Sequence, residues 1–252
     1  MEQQFFLTLY HAALLIPTSA YSDDHEKKGD FPMPAGVETF VCTFNDGYDI
    51  KQLLQIASHW SLWAEKTFEV NYNAWILTPR FMGASLPDHD FVWLGAADSP
   101  VDLGIVNDTM MDKGQRHYRK FSDAAHCTIQ EEWYSMPVRY SPDNAVETGV
   151  IDFHLCKTNE GFSKADVSRV TSEFQKIVDT TDMQLALFRW LSGVGVEHQG
   201  KFDHVDVVVH DSMETRAKNN TIFWTIADKW QQMTGAVRQC SPLATANFIQ
   251  VK

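Results

Sequence analysis

Two periodicities take turns along the chain. Glu38–Phe44 alternates apolar with polar residues and is rich in Phe, Val and Thr, which predicts a strand. Asn45-Asp46-Gly47 is turn chemistry. From Asp49 to Lys66 apolar residues fall at 50, 53, 54, 57, 60 and 63, one face of a helix. Ala74–Phe81 and Phe91–Ala97 read as strands, Val101–Phe121 as a helix and Ile129–Met136 as a strand. The order then starts again. Ile151–Lys157 is a strand, Lys164–Asp179 a helix, and Leu185–Leu191 and His204–His210 are strands. A helix over Glu214–Met233 and a strand over Ala246–Val251 close the series.

The chain aligns with itself. Cys42-Thr-Phe-Asn45-Asp46-Gly47-Tyr48 matches Cys156-Lys-Thr-Asn159-Glu160-Gly161-Phe162, an offset of 156 − 42 = 114. The match runs on without a gap through Leu53/Val167, Ile56/Val170 and Trp60/Phe174. Asp98-Ser99 matches Asp211-Ser212 and Cys127 matches Cys240, both at 113, so one residue is lost between. A period this long means two domains rather than a solenoid. Residues 36–136 form repeat 1, 137–148 a linker and 149–252 repeat 2.

Each repeat reads β-α-β-β-α-β, the ferredoxin-like unit, in the α+β class. Helices cover one face of such a sheet, and the other face must also be buried. The simplest cover is the other copy, with the two sheets packed face to face. In this element order, over residues 36 to 252, the chain resembles the dimeric α+β barrel superfamily fused in tandem. That superfamily holds antibiotic-biosynthesis and haem-degrading monooxygenases, the chlorite dismutase group, muconolactone isomerase and stress-responsive barrel proteins. No catalytic motif of these families carries over residue by residue. The fold hosts unrelated chemistries, so function has to be argued from a site.

Charge and termini narrow the setting. A net charge of −12 with no basic run argues against a nucleic-acid or anionic-membrane partner. Phe5–Ile16 is too short to span a bilayer and suits the apolar core of an export signal, although Met1–Gln4 lacks Lys and Arg. Ala20-Tyr21-Ser22 offers a cleavage site, making 1–22 the signal and polar 23–35 a leader. The expected location is secreted or periplasmic, with the cytoplasm as the alternative. No membrane contact is expected after processing. The tandem copy makes the chain a pseudo-dimeric monomer, open to further self-association. GxGxxG, Walker, GxSxG and HExxH motifs are absent, which argues against nucleotide cofactors, α/β-hydrolases and zincins.

Each copy has one Cys near the end of its first strand and one before its last. Those strands are neighbours in a ferredoxin-like sheet, so duplication favours Cys42–Cys127 and Cys156–Cys240 among the three pairings. With an export signal, disulfides are the natural reading, and reduced buried thiols are the alternative. Lacking any CxxC pair, the cysteines do not suggest a zinc site.

Strand parity suggests where chemistry could sit. Val205, Val207, Val209, Phe153 and Leu155 are assigned to the face under the helices. Asp152, His154, His204 and Asp206 then face the interior between the sheets, opposite Phe40, Phe91 and Trp93. This reading makes His154, His204 and Asp206 catalytic or metal-ligating, and Asp152, Phe40, Phe91 and Trp93 ligand-binding. His with carboxylate suits Zn or Fe, His alone suits haem, and the aromatics suit a small apolar or aromatic molecule. Such a protein would be a monooxygenase, isomerase or lyase. The alternatives are a solvent-exposed strand edge, or a non-enzymatic binding module stabilised by disulfides.

Overall fold

The computed structural model describes residues 33–83, 86–140, 146–197 and 200–252. The export signal and all of the leader before residue 33 lie outside the described residues. The first half contains β1 (Ala35–Phe44), α1 (Ile50–Thr67), β2 (Tyr72–Met82), β3 (Phe91–Ala97), α2 (Pro100–Lys113), α3 (Gln115–Ala124) and β4 (Ala125–Arg139). The second contains β5 (Thr148–Thr158), α4 (Lys164–Val178), β6 (Ala186–Ser192), β7 (His204–His210), α5 (Met213–Thr234) and β8 (Arg238–Gln250).

The motifs shared by the two copies are structural devices. Gly47 and Gly161 stand at φ 84° and 85°, where a side chain would be strained. Asn45 donates its amide to the carbonyls of Ser122 and Asp123, and Asn159 to those of Gly235 and Ala236. Each Asn thus ties the turn after the first strand to the end of the last helix. Asp49 and Ser163 close capping boxes on α1 and α4, and Ser99 and Ser212 cap α2 and α5. The single helix expected over Val101–Phe121 divides at Gly114, whose N–H closes α2 on the Met110 carbonyl. Part of the expected linker is strand, because β4 runs on to Arg139.

The sheets have the orders β4-β1-β3-β2 and β6-β7-β5-β8. They join along β2–β8 and β4–β6 into one closed eight-stranded antiparallel barrel, which removes the sheet edges. Cys42 is bonded to Cys127 and Cys156 to Cys240. Each pair sits in register across neighbouring strands, as strand adjacency required.

Two layers of core follow from closure. The barrel interior holds Val37, Leu77, Leu94, Trp133, Ile151, Trp190, Val205, Val207 and Phe248, with every strand represented and no helix. Under the helices of the first half, Phe40, Phe91 and Trp93 pack on Leu53, Ala57 and Trp60 of α1. The expected assignment of faces is therefore reversed. Val205, Val207, Val209, Phe153 and Leu155 line the interior. Phe40, Phe91 and Trp93 do not face it. Both faces of a barrel sheet are covered, so alternation separates the two faces without saying which one meets the helices. Among the buried residues under the second half's helices, the hydrophobic cluster shrinks to Val167, Val170 and Val237.

Candidate functional site

The layer between sheet and helices differs between the copies. At offset 114, Phe40 becomes His154 and Ala57 becomes Thr171. At 113, Ile76 becomes Arg189, Phe91 His204, Trp93 Asp206, Ala97 His210, Leu103 Arg216, Val106 Asn219 and Ala125 Arg238. Register confirms the alignment. Ile76 pairs with Trp93 where Arg189 pairs with Asp206, and Phe44 with Ala125 where Thr158 pairs with Arg238. Nine apolar positions of one layer have thus become polar in the other.

Asp206 is the centre of one cluster. Arg189 donates Nε to its Oδ1 at 2.9 Å and Nη2 to Thr171 Oγ1 at 3.1 Å. Arg238 donates Nη1 to Asp206 Oδ2 at 2.5 Å and to His204 Nε2 at 2.8 Å. A guanidinium can only donate, so His204 Nε2 is an acceptor and the ring is neutral. Burial, together with Arg189 and Arg238, holds the His204 pKa down to about 4 against the pull of Asp206. Burial also opposes charge on Asp206, yet the two arginines outweigh it and keep the carboxyl below its ordinary value. The Nε–H of Arg238, a residue 4% exposed, has no acceptor among the described residues.

Asp152 is the centre of the other. Both of its oxygens accept from Arg216 Nε, at 2.9 and 2.7 Å, and Thr245 Oγ1 donates to Oδ1. His210 Nε2 lies 3.4 Å from Oδ2, while His210 Nδ1 meets Asn219 Nδ2 at 3.0 Å. Burial opposes this carboxylate, but the donors outweigh it and bring the pKa to about 2. His154 projects from β5 on the same face, half-buried, and burial lowers its pKa. Of the three imidazoles here it is the one with no side-chain hydrogen bond among the described residues. Phe174, Phe223 and Trp230, all half-buried, form an aromatic group between α4 and α5.

The expected metal reading does not fit this donor set. Cys156 Sγ, His204 and Asp206 lie within 4.8 Å of one another, but Cys156 is bonded to Cys240. His204 Nε2 is occupied by Arg238, and two guanidiniums would repel a cation. For haem, His204 and His210 have ring nitrogens already engaged, so of the three imidazoles on this face His154 would be the one to hold it.

The structure brings Asp152, His154, His204 and Asp206 together on one face, under the helices and not between the sheets. Phe40, Phe91 and Trp93 belong to the other copy's core and lie apart from them. Sequence reasoning missed Arg189, Arg216 and Arg238. The signal was present, since each replaces an apolar residue when the chain is aligned with itself.

No protein-family model and no curated protein matches this chain. Solved structures do. A dye-decolorizing peroxidase from Bacteroides thetaiotaomicron is 7% identical with a TM-score of 0.53, covering 87% of this chain and 94% of its own. A chlorite dismutase from Candidatus Nitrospira defluvii, solved with imidazole, is 10% identical at TM-score 0.50, covering 86% and 92%. Identities this low establish shared architecture and nothing about the site.

Proposed function

From the premise of a tandem dimeric α+β barrel, we propose an exported protein that binds a small apolar or aromatic molecule under the helices of its second repeat. His154 and the Asp206–Arg238 cluster supply the polar contacts, and Phe174, Phe223 and Trp230 the apolar wall. The observation that carries this reading is the conversion of nine apolar positions in one copy into His, Asp, Arg and other polar residues in the other. A structural core gains nothing from that exchange, because burying charged groups is expensive even when they are paired. The two disulfides support export.

The similar structures bear the names of enzymes, and His154 is the group best placed for proton transfer, its pKa lowered and its ring free of side-chain hydrogen bonds among the described residues. His204 is held by Arg238 and acts as a fixed acceptor, not a base. The barrel interior, filled by side chains, favours a second reading, an interaction module without a small ligand.

Titration calorimetry with a panel of small aromatic molecules, and separately with haemin and Zn²⁺, tests the proposal. One aromatic is expected to bind with 1:1 stoichiometry, at least tenfold more weakly in His154→Phe, the substitution that restores what the first copy carries at Phe40. A panel with no binder refutes it and selects the interaction module, and binding unaffected by the substitution refutes the site at His154.

A further inference from the structure

We infer that the ligand of this layer is an anion, with a carboxylate or comparable oxyanion held beside Arg238; the inference rests on the site proposed above. Among the described residues the layer contains three guanidinium groups, Arg189, Arg216 and Arg238, and two buried carboxylates, Asp152 and Asp206, with the exposed Asp203 at its edge accepting from Thr158 N–H. Its imidazoles do not supply a missing negative charge. The carboxylates are also fully used. Asp206 accepts from Arg189 and Arg238, and Asp152 from Arg216 and Thr245 with His210 beside it.

Arg189 and Arg238 therefore share one buried carboxylate, that of Asp206. Arg238 Nε–H, enclosed and without an acceptor among the described residues, marks where an acceptor is missing. Burial of an unpaired donor on a charged group is among the least favourable arrangements in a folded chain. A water molecule would satisfy the hydrogen bond and leave the charge. An anion satisfies both. The first copy has no such demand, because Ala125 stands at this position.

The surroundings set the rest of the ligand. The Trp230 ring lies 5.6 Å from Arg238 Cζ, and Phe174 lies 4.2 Å from Trp230, centroid to centroid. These rings are the aromatic surface beside the guanidinium. The chemical class is a small aromatic or apolar carboxylate.

The test uses matched pairs that differ in charge and hardly in shape: benzoate with benzamide, and phenylacetate with phenylacetamide. Binding of each is measured by calorimetry at pH 7 on the disulfide-bonded chain. In the wild type the carboxylate is expected to bind at least tenfold more tightly than its amide. Arg238→Lys keeps the charge but loses Nε and should reduce that preference, and Arg238→Gln should abolish it. The wild-type comparison needs no variant, so it decides the matter even if Arg238→Gln does not fold. An amide that binds as tightly as its carboxylate overturns the anion inference and leaves the site reading standing. If neither member of either pair binds, while neutral molecules of the wider panel do, the anion inference again falls alone. Absence of binding across the whole panel removes the site reading and the inference with it.

Discussion

Acid should loosen this protein through His204. The ring takes no proton in the folded chain until about pH 4, whereas an unfolded histidine protonates near 6.5. As pH falls below 6.5 the unfolded state gains the proton first. The contribution is therefore present above 6.5, declines as pH falls, and is gone below about 4. A displacement of roughly 2.5 pH units at about 1.36 kcal/mol each is worth ~3 kcal/mol, or about 6–12 °C in Tm for a chain of this size. His204→Gln keeps an acceptor for Arg238 and cannot be protonated. Urea denaturation of both proteins at pH 7 and pH 4.5 isolates the effect, since other titrating groups are common to both. The wild type is expected to lose ~2–3 kcal/mol more than the variant over that interval. Equal losses would refute the claim that this imidazole is held neutral by burial and its two arginines.

Other outcomes follow from the same layers. Asp206→Asn leaves Arg189 and Arg238 without their carboxylate and should cost about 3–5 kcal/mol by denaturation at pH 7. Glu38, the counterpart of Asp152, has Tyr72 and Asn107 as donors, and burial raises its pKa. Its contribution is present below the ordinary carboxylate value and is lost as pH rises through the folded one. Glu38→Gln should therefore gain on the wild type between pH 4.5 and pH 7, and a constant difference across that range would count against it. Thiol titration of the denatured, unreduced protein should find none of the four cysteines free. Reduction should remove up to ~4–5 kcal/mol per bridge for loops spanning 85 and 84 positions, and chemical denaturation before and after reductant reads that loss.

What could be read without coordinates was whatever is local or repeated. The β7 span and the starts of β3 and α4 emerge from periodicity alone, because alternation and helical spacing are written within a few residues. Recurrence of the Asn-Asp/Glu-Gly turn and of Asp-Ser before the second helix revealed the duplication. The structure shows why both copies kept them, as turn, tie and cap. Duplication and strand adjacency together placed the disulfides.

The site was half legible. Asp152, His154, His204 and Asp206 share a face because residues two apart on a strand always do, and β5 and β7 are neighbours. Which face that is depends on closure. In an open sheet the polar face would meet water, but here one face meets the opposite sheet and the other meets helices, so both are covered. Only tertiary structure brings Arg189 from β6, Arg216 from α5 and Arg238 from β8 to the carboxylates. Those partners make burial of the acids on the helix side tolerable, while Val205 and Val207 fill the interior against Trp190. Sequence by itself determined the elements, their duplication and the sulfur pairing, since these rest on short-range pattern and order. The side of the sheet that holds the charges was decided by contacts among residues up to 93 positions apart, from Asp152 to Thr245, and no local pattern encodes them.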